Sequence, residues 1–76
     1  MNFPSRETVE WLRREYPAGT RVELGRMDDV QAPPPGTIGE VIGVDDTGSL
    51  LMRWSNGSRL NVVYGEDVVR KVENGK

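Results

Sequence analysis

Short runs in which apolar and polar residues alternate make up most of this chain of 76 residues. In residues 20–27, Val22 and Leu24 alternate with charged residues, a pattern typical of a strand that is buried on one face. Residues 28–36 contain three consecutive prolines, which lack the N–H group that a central strand needs, so we predict a long, stiff loop there. We predict the other strands at residues 37–45, 49–54 and 59–64, with a short last strand at 68–72.

The N-terminal segment has the period of a helix instead. Apolar residues recur with helical spacing at Val9, Leu12 and Tyr16. Because Ser5 is a suitable N-cap, we predict a helix over about residues 5–16. Trp11 lies about 100° from the apolar stripe, so it either widens the buried face or is exposed. The helix, a barrel at residues 20–72 and a frayed tail at 73–76 are expected to form a single domain.

The spacing of apolar residues also predicts how the strands pair. A three-residue loop at 55–57, with Gly57 in the left-handed conformation, keeps the apolar residues of both flanking strands inside. Val41 and Val44 both look like core residues although they are three apart, which requires one extra residue and predicts a bulge at Ile42 and Gly43. The predicted opposed pairs are Met52 with Leu60, Leu50 with Val62, Val41 with Met52, Glu40 with Arg53, and Gly39 with Trp54.

Composition narrows the chemistry of the protein. The chain has no cysteine and no histidine, so it lacks thiolate and imidazole ligands for zinc and cannot form a Ser-His or Cys-His nucleophile system. Ten Lys and Arg residues face twelve Asp and Glu residues, so any contact with nucleic acid would need a local patch. No apolar segment approaches the roughly 20 residues that span a bilayer. We expect a cytoplasmic protein without a membrane segment or a leader.

Five short strands with close turns predict a mainly β fold, namely a small five-stranded SH3-like barrel preceded by one N-terminal α-helix. Four motifs follow one another: GTRV at 19–22, PGTIGEVIGVD at 35–45, WSNG at 54–57 and YGED at 64–67. In this order they resemble the family catalogued as domain of unknown function 4314, over residues 3–72. The resemblance implies an SH3-like barrel from Gram-positive bacteria, their phages or mobile elements, with no assigned activity. Residues 36–41 are also similar to the glycine-valine motif of KOW domains.

Arginines form the first candidate site. Arg53 and Arg59 oppose each other across the predicted hairpin, which is unfavourable unless an anion neutralises them. We expect Glu40 on the neighbouring strand to do so in a solvated Glu40–Arg53–Arg59 row, and an anionic ligand is the alternative. Together with Arg21 and Arg26, these two arginines are the candidate interaction or anion patch.

Aromatic residues form the second candidate site. Trp11 and Tyr64 are the candidate apolar interaction surface. The long loop at residues 26–36 has no aromatic residue, so we do not expect a groove for proline-rich peptides. The three prolines in this loop are more easily explained as a spacer than as a ligand for another protein.

Acidic pairs occur at Asp28-Asp29, Asp45-Asp46 and Glu66-Asp67. Each pair lies in a predicted turn, where Asp commonly bonds to its own backbone, and none continues into a calcium loop. We therefore expect no metal, no cofactor and no catalytic residue.

Two functions follow from these observations. We favour a non-enzymatic adaptor or protein-interaction module, whose protein partner docks on an open strand edge or at the helix–barrel junction around Trp11. The alternative is a KOW- or Tudor-like barrel that binds nucleic acid through the arginine patch. We expect the chain alone to be a monomer or a weak homodimer.

Overall fold

The computed structural model describes residues 4–72 and shows a mainly β protein with one helix at its N-terminal end. Its elements are α1 (Arg6–Glu15), β1 (Arg21–Arg26), β2 (Ile38–Val44), β3 (Ser49–Trp54), β4 (Val62–Val63) and β5 (Val68–Lys71). The five strands form one antiparallel sheet in the order β4-β3-β2-β1-β5. The predicted mainly β class with an N-terminal helix is confirmed. The predicted tail at 73–76 lies outside the described residues.

The sheet is not closed into a barrel. Strands β4 and β5 are its two edges, and in the described part of the chain only an isolated bridge between Tyr64 and Asp67 joins the segments around them. Strand β4 has only two residues, and its ladder pairs are with β3. An opening lined by apolar side chains therefore remains between β4 and β5.

Helix α1 begins and ends where the sequence predicts. The Thr8 N–H donates to the Ser5 hydroxyl at 3.1 Å, and the Tyr16 N–H donates to the Leu12 carbonyl at 2.7 Å. Val9 and Leu12 are buried against the sheet, whereas Trp11 is 39 % exposed. The side chain of Trp11 therefore lies outside the core, which decides between the two placements considered for it.

Two polar contacts fix the helix to the sheet. Arg13 donates from Nε and Nη2 to the Val44 carbonyl at 3.2 and 3.0 Å, and it also forms an ion pair with Asp46 at 2.9 Å. In the same last turn of α1, Lys71 Nζ lies 3.1 Å from a Glu15 carboxylate oxygen. The helix is thus attached to the β2–β3 turn and to β5. These attachments determine where Trp11 lies relative to the sheet.

The core confirms the predicted bulge and the predicted register of the β2–β3 hairpin. The ladder shifts between Val41 and Gly43, and Ile42 is the extra residue. Val41 pairs with Met52, Glu40 with Arg53, and Gly39 with Trp54. The indole of Trp54 lies directly over Gly39. The buried core consists of Val9, Leu12, Val22, Leu24, Val41, Leu50, Met52, Trp54 and Val62.

The β3–β4 hairpin follows the prediction only at its two ends. Leu50 pairs with Val62, and Gly57 has a φ of 93°, both as predicted. The predicted strand over residues 59–64 is wrong for its first half, because the ladder contains no pair between Met52 and Leu60. The Trp54 indole N–H donates instead to the Leu60 carbonyl at 2.8 Å, and this side-chain contact replaces ladder pairing.

Candidate interaction surfaces

The exposed face of the sheet carries an arginine row across three strands. Arg21 on β1 pairs with Glu40 on β2, and Glu40 pairs with Arg53 on β3. Both arginines line one depression of about 440 Å³. The closest contact between Arg53 and Glu40 is 3.8 Å from Nη2 to Oε1, too long for a hydrogen bond. The predicted pairing of Glu40 with Arg53 is confirmed, but the third member of the row is Arg21.

The other two arginines of the predicted patch lie elsewhere. Arg59 precedes β4 and has no ladder pair with Arg53, so the predicted Glu40–Arg53–Arg59 row does not form. Arg26 forms an ion pair with Asp28 at 3.2 Å near the end of β1. Neither Arg26 nor Arg59 lines the depression that contains Arg21 and Arg53. The four arginines of the predicted patch therefore do not form one site. Arg21 and Arg53 lie together, and Glu40 lies between them.

The two predicted aromatic residues come together at the junction of α1 with the segment after β4. The ring centroids of Trp11 and Tyr64 are 5.8 Å apart, and the ring planes are tilted by 56°. Tyr64 is 47 % exposed, so both rings remain accessible although they touch. They form one side of a cleft of about 300 Å³, and the first turn of α1 forms the other side. We call this space the aromatic cleft; its lining residues are Ser5, Glu7, Thr8, Trp11 and Tyr64.

A tight turn fixes Tyr64 at this place. The Val63 N–H donates to a carboxylate oxygen of Asp67 at 2.8 Å, and the Asp67 N–H donates back to the Val63 carbonyl at 3.0 Å. Gly65 has a φ of 94°, a conformation that favours glycine. The turn begins directly after β4 ends at Val63, and the Tyr64 ring lies at the surface.

A second cleft lies in the opening between β4 and β5. It measures about 290 Å³, and its lining includes the core residues Leu50 and Val62 together with Val68. Val68 is 54 % exposed. Tyr64 lines this cleft as well as the aromatic cleft. We call the second space the edge cleft. Sequence reasoning missed it, because Val68 looked like an ordinary residue of a paired strand.

In each of the three acidic pairs, one aspartate accepts a hydrogen bond from a nearby backbone N–H. Asp45 accepts hydrogen bonds from the Thr47 hydroxyl and N–H and from the Ser49 N–H, at 2.7, 3.0 and 2.9 Å. Partial burial raises the pKa of Asp45, but these bonds and the nearby charge of Arg13 outweigh that effect and hold the pKa below its ordinary value. Within residues 4–72 no group of three or more acidic side chains is arranged to hold a metal ion.

A membrane-spanning helix would need about twenty apolar residues. Helix α1, which has ten residues and is amphipathic, is the only helix in the described range, and it does not meet that requirement.

A family model described as domain of unknown function (DUF4314) matches residues 5–72. The match spans α1, all five strands and both clefts. No curated protein and no solved structure matches the chain significantly.

Proposed function

This chain belongs to the DUF4314 family, and we propose that it is a non-enzymatic protein-interaction module that binds a short segment of a partner protein in the aromatic cleft. The observation that supports this proposal best is the contact between Trp11 and Tyr64, two large rings that stay 39 % and 47 % exposed. Trp and Tyr dominate the residues that contribute most to protein interfaces. A partner that covered both rings would bury apolar surface that the chain itself leaves in water.

The arrangement of the two clefts favours an extended partner segment. Tyr64 lines both the aromatic cleft and the edge cleft, so one segment can contact Trp11 at one end and Val68 at the other. The free side of β5 borders the edge cleft and offers unpaired backbone groups to such a segment. Strand addition to an open sheet edge is a common way in which domains of this size bind peptides.

The chemistry of the chain supports a binding role over catalysis. The sequence contains no histidine and no cysteine, which removes the usual neutral-pH base and the usual thiol nucleophile. Asp45, whose pKa is shifted, lies in the β2–β3 turn and uses its carboxylate to hold the backbone there. A strongly shifted pKa inside a cleft would have pointed toward catalysis, and neither cleft lined by Tyr64 includes Asp45.

Selection from a phage-displayed library of random peptides tests the proposal. We expect the wild-type protein to enrich peptides with a shared sequence, and the Trp11→Ala variant to enrich none of them. The matched control carries Arg21→Ala and Arg53→Ala on the exposed face of the sheet, and it should enrich the same peptides as the wild type. Circular dichroism and thermal unfolding show that each variant is folded. Peptides that bind Trp11→Ala as well as the wild type would contradict the proposal.

A second candidate function is binding of nucleic acid on the exposed face of the sheet. The observation in its favour is that Arg21 and Arg53 line one depression. Two features weaken it: Glu40 lies between the two arginines, and the chain carries a net charge of −2. Titration with short single- and double-stranded nucleic acids at two salt concentrations tests it, because phosphate contacts weaken steeply with salt. Affinity that disappears in the double arginine variant would favour this function.

The SH3-like classification, the cytoplasmic location and the bacterial or phage setting stay predictions from the sequence. The proposed function depends on none of them, because it rests on the geometry around Trp11 and Tyr64.

A further inference from the structure

We infer that the aromatic cleft recognises the guanidinium group of an arginine side chain in the partner segment. This inference rests on the proposed function, because it names the chemistry of the segment that the cleft binds. The residues that support it are Trp11, Tyr64 and Glu7, which line the same cleft. They supply two aromatic rings and one carboxylate, the groups that attract a cation most strongly at a protein surface.

The geometry of the rings suits a flat cation. Their planes are tilted by 56°, their centroids are 5.8 Å apart, and both rings line the cleft. Because the centroids are close together, a cation in the cleft can lie within about 6 Å of both of them, the range in which cation–π attraction operates. The cleft measures about 300 Å³ and is open to solvent, so the end of a long side chain can enter it.

Glu7 provides the countercharge. It lies one helical turn before Trp11, so both side chains lie on the same face of α1. Among the described residues Glu7 has neither an ion-pair partner nor a side-chain hydrogen bond, whereas Glu15 and Glu23 each pair with a basic residue. The nearest arginine in sequence, Arg6, lines a different depression on the other side of the helix. Glu7 is therefore available to a cation from outside.

Elsewhere the chain holds a cation of its own between an aromatic ring and a carboxylate. Lys71 Nζ lies 5.1 Å from the ring centroid of Tyr16 and 3.1 Å from a carboxylate oxygen of Glu15. There the last residue of α1 supplies a carboxylate and the C-cap residue supplies an aromatic ring, and together they hold a cation from β5. The aromatic cleft also combines a ring and a carboxylate, Trp11 and Glu7 on the helix, but no basic residue within residues 4–72 lines it. A partner can supply the missing cation.

Arginine fits this cleft better than lysine does. Its guanidinium group is planar and weakly hydrated, so it can stack on the Trp11 indole while it donates two hydrogen bonds to one carboxylate. A lysine ammonium group is compact and strongly hydrated, and it loses more hydration on entering the cleft. We therefore expect arginine to bind more tightly than lysine, and a neutral side chain of the same shape to bind least.

Three capped tripeptides test the inference without knowledge of the partner. They carry arginine, lysine or citrulline between two glycines, and citrulline has almost the shape of arginine without its charge. NMR follows the indole N–H signals of Trp11 and Trp54 while each peptide is added at millimolar concentration and low salt. Trp54 is buried and bonded to the Leu60 carbonyl, so its signal is an internal control.

We expect the arginine peptide to shift the Trp11 signal saturably and to leave the Trp54 signal in place. Citrulline should bind about three- to tenfold more weakly, and Glu7→Gln should weaken the arginine peptide by a similar factor, as expected for a cation at a partly exposed aromatic site. Glu10→Gln, which removes a carboxylate of α1 outside the aromatic cleft, is the matched control and should change nothing.

The failure of this inference differs from the failure of the proposed function. Equal shifts with arginine and citrulline, or no shift of Trp11 with arginine, would overturn the arginine site. If selected peptides nevertheless bind in a Trp11-dependent way and lack a basic residue, the interaction module stands and the inference falls. A shift with arginine that Glu7→Gln does not weaken would also overturn it, because the carboxylate would then play no part.

Discussion

Substituting Gly39 by alanine should destabilise the protein, because the bare backbone at this position is covered by the Trp54 indole. A Cβ atom added at Gly39 would lie 2.5 Å from Cε3 and 2.8 Å from Cζ3 of Trp54, and 2.9 Å from Cε of Met52. Carbon atoms pack at about 3.5 to 4.0 Å, so the indole would have to move by roughly 1 Å. Trp54 is only 2 % exposed and is bonded to the Leu60 carbonyl, which opposes such a movement.

The size of the effect follows from this crowding. Overpacking of a well-packed core costs about 1 to 3 kcal/mol, and the loss of glycine flexibility in the unfolded chain offsets only about 0.4 to 1 kcal/mol of it. For a domain of this size each kcal/mol lowers the unfolding temperature by about 4 to 8 °C. Combining the overpacking cost with this temperature shift per kcal/mol, we expect Gly39→Ala to lower the unfolding temperature by roughly several degrees to more than 10 °C.

Gly43→Ala is the matched control in the same strand. An added Cβ there would have no atom within 4 Å, and Gly43 does not have a positive φ. We expect its free energy of unfolding to stay within about 0.5 kcal/mol of the wild type. Thermal and urea unfolding of both variants measure the difference. Wild-type stability of Gly39→Ala, or an equal loss in both variants, would refute the packing of Trp54 on Gly39.

Three further predictions concern the turn, the helix and the state of the free chain. The pKa of Asp45 is lowered in the folded protein, so its stabilising effect is present above its ordinary pKa of 3.8 and is lost as the pH falls through the folded value. On acidification below about pH 4, the Asp45→Asn variant should therefore lose less stability than the wild type. Thermal unfolding across pH measures this difference. Arg13→Ala should cost about 1 kcal/mol in urea unfolding because the Val44 carbonyl loses its donor, whereas Asp46→Asn should change stability little, because this ion pair is exposed; equal losses would contradict this division. Sedimentation of the free chain should give a mass near 8.5 kDa, and a doubled mass that Trp11→Ala abolishes would show that a second copy covers the aromatic cleft.

The sequence was sufficient to predict the β2–β3 hairpin because local spacing determines it. Val41 and Val44 are both apolar but three residues apart, and only a bulge lets both approach the core. The position of Gly39 opposite Trp54 then follows from counting along the ladder. The pairing of Arg21 with Glu40 was missed because a long loop connects β1 to β2. The length of such a loop does not determine which residues of the two strands pair.

The β3–β4 hairpin and the aromatic cleft depend on contacts that alternation does not reveal. Apolar and polar residues alternate in residues 59–64 as they would in a strand. The Trp54 indole N–H donates to the Leu60 carbonyl, however, and the first half of the predicted β3–β4 ladder does not form. Trp11 and Tyr64 were each recognised as candidate surface residues. Their contact could not be predicted, because it depends on how α1 is attached to the sheet and on the turn that carries Tyr64.

The most direct test of the central claim is to locate a selected peptide on the protein. A nitroxide spin label on such a peptide broadens the NMR signals of nearby residues in the complex. If the aromatic cleft is the binding site, the Trp11 indole signal and the Tyr64 amide signal should broaden, and the amide signals of Arg21 and Arg53 should stay sharp. Broadening confined to Arg21 and Arg53 would contradict the account and place the binding site on the exposed face of the sheet.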